Sequence, residues 1–342
     1  MADLKKQIAK LEEELMELRK QGGQKNWLAM ESKDRFNNLA PGIKYQKMLK
    51  GHFGKIYAMH WANQGNGLVS ASQDGKLIIW NAFTTHKLQA IILRSSWVMT
   101  CAFSPTSKFV ACGGLDNICS VYSVDESKEP LDRAAKPPEL REHDGYLSCC
   151  RFISDNEIVT TSGDGSCILW DIESKRPVTT FRDHTQDVMS VSVYENLFVT
   201  GSCDQTAKVW DYRGKKTCVM DFEGCHESDI NSVAFFPDGQ AFGTGSDNSR
   251  ARLLDLRSCK QLQEYLDDNK DFCCVTSVDF SLTGKLLFAG YDDYHVQVWN
   301  VGNGQKAETL DMHENRVSCL GVSGDGKALC TGSWDTNLRI WA

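Results

Sequence analysis

Ser70-Ala71-Ser72-Gln73-Asp74-Gly75-Lys76-Leu77-Ile78-Ile79-Trp80 holds a unit that the chain repeats seven times. A run of small residues leads to a turn residue, usually acidic, and a bulky residue follows six positions later. The pairs are Asp74/Trp80, Asp116/Tyr122, Asp164/Trp170, Asp204/Trp210, Asn248/Leu254, Asp293/Trp299 and Asp335/Trp341. Steps between successive turn residues are 42, 48, 40, 44, 45 and 42. A period in this range with a Trp-Asp-like ending predicts four-stranded propeller blades. Seven such blades make a closed all-β ring, a rigid surface for binding that needs no chemistry.

Five blades carry a histidine 20 to 22 residues before the turn residue: His52, His143, His184, His226 and His313. In those same blades the residue four before the turn residue bears a hydroxyl: Ser70, Thr160, Thr200, Thr244 and Thr331. Blades two and six lack the histidine, and there the position holds Cys112 and Ala289. Hydroxyl and imidazole come and go together. This pattern predicts a buried chain from indole N–H through hydroxyl and imidazole to carboxylate, which stabilises only when every member is satisfied. Four blades have the full set. They are His52/Ser70/Asp74/Trp80, His143/Thr160/Asp164/Trp170, His184/Thr200/Asp204/Trp210 and His313/Thr331/Asp335/Trp341. Blade five keeps His226 and Thr244 but has Asn248 and Leu254.

That recurrence decides how Ser/Thr, His and Asp are read. Five copies of a hydrolase triad are implausible, whereas five blade staples are not. The histidines lie on different blades without ligand spacing, so no metal site is expected. Gly321-Val322-Ser323-Gly324-Asp325-Gly326-Lys327 nearly matches a phosphate loop, but Ala328 replaces the residue that would hold Mg²⁺. It reads as a hairpin turn, as does Asp74-Gly75-Lys76. No zinc-protease motif or nucleophile elbow occurs. The expectation is a protein without catalytic residues or cofactor.

Bulk properties agree. The 342 residues carry a formal net charge of −7, which argues against a nucleic-acid binder or direct adhesion to an anionic membrane. No apolar run is long enough to span a bilayer, and no signal peptide opens the chain. Fourteen cysteines are scattered at strand-like positions with no C-x-x-C pair, and no N-x-Ser/Thr sequon is present. Free, buried thiols in a reducing compartment are expected.

Residues 1–23 read as a separate unit. Leu4, Ile8, Leu11, Leu15 and Leu18 follow the 4-3-4-3 spacing of a coiled-coil seam among good helix formers, and Gly22-Gly23 stops the helix. Such a short helix is marginal alone in water, so its seam needs a partner: another helix, or the propeller itself. A narrow stripe fits a helix better than a flat sheet face. Residues 24–42 read as a linker, with room for a short second helix around Trp27–Phe36. The propeller then covers 43–342. The chain ends one residue after Trp341, a third-strand residue, so the last blade lacks a fourth strand. Residues 43–49 are predicted to supply it, with Ile43, Tyr45, Lys47 and Leu49 on one face, and thereby to close the ring. The prolines and charges of Asp125–Arg141 predict an exposed, mobile loop between blades two and three.

Residues just after each histidine begin the innermost strand, near one mouth of the channel. Three positions on come Lys55, Tyr146, Asp187, Asp229 and Arg316; five positions on come Tyr57, Ser148, Met189, Asn231 and Ser318. Strand alternation puts both sets on one side. In blade two, Trp97 and Met99 take the matching places. Aromatic residues, Met and Arg are enriched in interface hot spots, so this rim is the candidate binding surface.

An N-terminal coiled-coil helix followed by seven WD repeats resembles the β subunit of heterotrimeric G proteins. The resemblance is near-verbatim in Lys55-Ile56-Tyr57-Ala58-Met59-His60-Trp61, in Ser70 to Trp80, Arg94 to Cys101, Ala111 to Cys119, Gly145 to Phe152, His226 to Asn231 and Gly332-Ser333-Trp334-Asp335. It implies a seven-bladed WD40 β-propeller preceded by an N-terminal coiled-coil α-helix. It implies a lasting dimer with a small helical γ subunit through Leu4, Ile8, Leu11, Leu15 and Leu18. The rim would hold the GDP-bound α subunit, nucleotide exchange would release it, and the freed rim would engage effectors and answer to a receptor. The family's contact positions fall on Lys55, Tyr57, Trp97, Met99, Leu115, Asn117, Tyr146, Asp187, Met189, Asp229, Asn231, Asp247 and Trp334. With Met1-Ala2 at one end and Ile340-Trp341-Ala342 at the other, membrane attachment at the inner face of the plasma membrane is expected through lipidated partners. Residues 20–42, the Asp125–Arg141 insert and Asp267-Asp268-Asn269-Lys270-Asp271, where the family often has a histidine, depart from the pattern. A WD scaffold of another kind would not need the Leu4–Leu18 seam, and an enzyme using the channel would need reactive groups that the motifs do not supply.

Overall fold

The computed structural model describes residues 42–63, 66–124, 137–214, 218–267 and 273–342. The predicted helix of 1–23, and residues 24–41 of the predicted linker, lie outside the described residues. The rest folds as seven four-stranded antiparallel sheets. In each of blades one to six the strands run inner, second, third, outer in chain order; the seventh takes its outer strand from Tyr45–Lys50. No helix among the described residues is long and apolar enough to cross a membrane.

Hydrophobic cores lie between blades rather than inside them. Seven clusters fill the seven gaps, each drawing side chains from two adjoining sheets. This explains the sequence pattern of the second strands. Leu68–Ser72 and Ala241–Ser246 are buried on both faces, so they read as continuous small or apolar runs and not as alternation. Outer strands such as Lys87–Ile92 alternate toward solvent.

Ring closure follows the prediction in its pairing and departs from it in its detail. Tyr45–Lys50 runs antiparallel to Asn337–Trp341, with Leu49 opposite Leu338. Lys44 and Ala342 exchange backbone hydrogen bonds of 3.0 and 3.1 Å. An irregularity between Tyr45 and Lys47 breaks the expected alternation, leaving Tyr45 and Lys47 exposed and only Leu49 fully buried. Leu49 enters the cluster that joins blade one to blade seven, where Trp80 and Ile340 also pack.

The segment predicted as a loop from Asp125 to Arg141 is corrected at its end. Glu139–Arg141 is the outer strand of blade two, paired with the strand Ile118–Ser123. Leu140 is buried there in the gap to blade three. Pro137-Pro138 leads into this edge strand, a place where a missing N–H is tolerated. Residues 125–136, the remainder of that insert, are not among the described ones. All fourteen cysteines are free, as expected; eight are buried, while Cys259 is exposed.

Candidate functional site

The four predicted networks form. Trp80, Trp170, Trp210 and Trp341 donate their indole N–H to Ser70, Thr160, Thr200 and Thr331 at 2.8 to 2.9 Å. Each hydroxyl lies 2.7 to 2.8 Å from Nε2 of His52, His143, His184 or His313. Nδ1 of each imidazole reaches Asp74, Asp164, Asp204 or Asp335 at 2.8 to 3.0 Å. An indole can only donate, so the hydroxyl gives its proton to Nε2 and Nδ1–H faces the carboxylate. The carboxylate is then filled from the backbone: Oδ2 accepts from the residue after the histidine and Oδ1 from two residues beyond itself. Burial would raise these carboxyls, but the histidine and backbone donors outweigh it. Asp74, Asp164 and Asp204 are held below the usual range, and Asp335 falls to about 2. Sequence reasoning missed Ser166 and Thr206, whose hydroxyls add a further donor to Asp164 and Asp204.

These networks anchor turns that build the rim. The residue before each turn residue donates its N–H to the carbonyl of the residue at the start of the inner strand. The seven pairs are Gln73–Lys55, Leu115–Trp97, Gly163–Tyr146, Cys203–Asp187, Asp247–Asp229, Asp292–Cys274 and Trp334–Arg316, at 2.9 to 3.2 Å. The residue after each turn residue is left-handed, and in blade two it is Asn117 with φ 62°. Leu115, Asn117, Asp247 and Trp334 therefore stand beside the predicted strand-start residues on one ring.

The second set of rim residues is placed by a device that alternation did not foresee. Every inner strand has a register break between its first residue and its third: Ile56/Ala58, Val98/Thr100, Leu147/Cys149, Val188/Ser190, Ile230/Ser232, Val275/Ser277 and Val317/Cys319. The residue between is Tyr57, Met99, Ser148, Met189, Asn231, Thr276 or Ser318. A bulge re-aims its side chain and bends the strand. Where that residue is small and polar it is sewn to the next blade. Ser148 donates to Val188 O, Asn231 to Val275 O (3.0 Å), Thr276 to Val317 O (2.6 Å) and Ser318 to Ile56 O (2.5 Å). Ser148, Asn231 and Ser318, expected on the binding rim, thus also tie neighbouring blades. Tyr57, Met99 and Met189 line the channel without such a tie.

The rim is chemically divided. On blades seven, one and two it is aromatic and cationic. Lys55 Nζ lies 3.9 Å from the centre of the Trp334 ring, Arg316 covers the same ring at 5.2 Å, and Tyr57 meets it edge-on at 6.0 Å. Trp97 and Leu115 are 45% and 50% exposed, an apolar pair in solvent. On blades four to six it is acidic. Asp187, Asp229, Asp247 and Asp292 crowd Cys203 and Cys274, whose thiols are pushed up to about 12 by burial and by these carboxylates. Tyr146 stands between the halves. Its hydroxyl donates to Asp187 at 2.8 Å and touches Met189 Sδ at 3.5 Å, and burial with the Asp187 bond raises its ionisation well above normal. Gly163 is required for this, since a Cβ there would overlap the Tyr146 ring. Asn231 also donates to Asp247 at 2.5 Å. Among the described residues no group of His, Cys, Asp or Glu has the geometry of a metal site.

Blade five shows what a broken network leaves. His226 Nε2 keeps its 2.6 Å contact with Thr244, but among the described residues Nδ1 has no carboxylate and no hydrogen-bond partner. Burial, with Arg252 nearby, holds this imidazole down to about 3. In blade six the buried Asp267 accepts from Gln297 at 2.8 Å and Lys306 at 2.6 Å, a separate peg on a blade without the histidine.

Comparison with known proteins agrees with this geometry. The family model described as G protein beta WD-40 repeat protein matches residues 1–342. A guanine nucleotide-binding protein subunit beta from Arabidopsis thaliana is 47% identical over 312 residues, 86% of this chain and 82% of the relative. Proteins of the same name from Oryza sativa subsp. indica and Nicotiana tabacum are 46% and 47% identical, over 86% of this chain and 82% and 83% of theirs. A sevenfold WD propeller with a divided, solvent-facing rim, matched by the family model from end to end, belongs to the G protein β subunit family.

Proposed function

We propose that this β subunit forms a lasting dimer with a γ subunit through Leu4, Ile8, Leu11, Leu15 and Leu18. Its rim then holds a GDP-bound α subunit and, once nucleotide exchange frees it, engages effectors. Lipidated partners hold the assembly at the inner face of the plasma membrane. The observation that carries the rim assignment is the exposed pair Trp97 and Leu115, joined through a backbone bond of 3.0 Å, on the blade next to the one that brings Lys55 and Tyr57 against Trp334. Exposed aromatic and apolar side chains ringed by charge match the anatomy of a binding hot spot. The acidic half sets orientation, because a partner must offer cations to blades four to six and an anionic or apolar face to blades seven, one and two.

Capture of the tagged chain from its own cells, with mass spectrometry, tests the cycle. One α-sized protein should be present with GDP and lost with a non-hydrolysable GTP analogue; its retention in both states removes the proposal. Trp97→Ala should weaken α binding by about tenfold or more, the range of a hot-spot truncation, with unchanged thermal unfolding. A large fall in melting temperature would instead place Trp97 in the core. Leu11→Asp with Leu15→Asp should abolish co-purification of the γ subunit.

A further inference from the structure

The rim opens into a channel through the ring, with a volume of about 610 Å³. At one level of its wall the inner strands present equivalent residues, the fifth position of each strand. Blades five and seven offer only Ala234 and Gly321 there, and Ala102 of blade two packs into the gap to blade three. Blades one, four and six use the position to bind the next blade. His60 Nδ1 accepts from Phe103 N at 3.1 Å, Ser192 Oγ from Phe235 N at 3.1 Å and Asp279 Oδ2 from Val322 N at 2.8 Å.

Blade three breaks the rule, because its residue is Arg151. A guanidinium has five N–H donors and no acceptor, so it cannot take the next blade's N–H. Arg151 gives one Nη1 hydrogen bond of 2.7 Å to the carbonyl of Cys150. That is its only hydrogen bond among the described residues, and its side chain lines the channel. Asp279 is the carboxylate acting on it from the channel wall. Both Asp279 oxygens already accept backbone N–H groups, from Val322 and from Phe280 at 2.9 Å, and the two residues form no ion pair. His60, the other basic group at this level, stays uncharged, held down to about 3 by burial and by Arg151. One guanidinium therefore faces the open channel with most of its donors uncommitted.

We propose that the channel binds a small free oxyanion, of phosphate or sulfate size, on the Arg151 guanidinium. A planar fork of N–H groups matches two oxygens of such an anion and does not match chloride. Asp279 opposes the anion and keeps its hold weak enough to exchange.

Calorimetric titration of the full assembled chain with inorganic phosphate, against chloride at equal ionic strength, tests this. Saturable binding of one phosphate per chain is expected, with a raised melting temperature. Arg151→Met should weaken it by about tenfold or more, the loss of a charge-assisted bidentate pair. Asp279→Asn, which keeps an acceptor for Val322 N, should tighten it severalfold by removing the opposing charge. Equal effects of phosphate and chloride, or phosphate binding indifferent to Arg151→Met, would overturn the site. Should Arg151→Met not fold, unchanged affinity in Asp279→Asn overturns it as well.

Discussion

Single side chains divide into those that hold the blades and those that face outward, and acid separates them. His60 and His226 are each kept neutral down to about pH 3. In the unfolded chain they take protons below their ordinary value of 6.5. The unfolded state then binds more protons, so their contribution is complete above that value and declines as pH falls toward 3. The four depressed carboxylates add a second loss, which begins only below the ordinary value of 3.8. Urea midpoints should therefore decline already between about pH 6.5 and 5; a flat profile there contradicts the buried neutral histidines. Asp204→Ala should destabilise by about 2–4 kcal/mol, because it strands His184 and two backbone donors in a buried network. Asp116→Ala, in a blade without the histidine, removes a single 3.3 Å bond and should cost about 1 kcal/mol or less. Chemical denaturation of the two variants measures the contrast.

Among the elements, the inner strand with its bulge is the decisive one. The same irregularity occurs in all seven blades, yet its occupant sorts them into sewn and open joints. Thr276→Val keeps the shape and removes the bonds to Val317 O and Gly290 O. A loss of about 1–2 kcal/mol follows, with no change in partner binding. Met189→Ala, at the same position two blades back, should leave stability nearly intact and weaken the partner. Opposite outcomes for the two would reverse the assignment of ties and contacts. The insert before blade three teaches a related lesson. Its prolines and charges read as a loop, but burial of Leu140 turns the last three residues into an edge strand.

For the molecule as a whole, stability depends on closing the circle. Each sheet is thin, and its apolar faces are covered only by its neighbours. The joint between first and last blades is made by Tyr45–Lys50 and by Leu49 in the shared core. Leu49→Asp should cost several kcal/mol by burying a charge in that joint, and unfolding should remain a single cooperative transition. Two separated transitions would show that the ring tolerates an open gap.

The number of blades and the four staple networks were legible in the chain, because each rests on short-range spacing repeated many times. A period near 43 residues and a histidine matched to a hydroxyl need no knowledge of neighbours. Part of the rim was legible for the same reason, as Lys55, Tyr146 and Trp97 lie at fixed offsets in their repeats. The roles of Ser148, Ser318 and Arg151 were not. Their partners are Val188, Ile56 and the open channel, contributed by other blades or by the space the blades enclose. Identity and spacing within a repeat cannot report on such meetings. Only the wrapping of seven sheets around one axis brings those side chains together, and it is also what splits the mouth into a cationic and an acidic side.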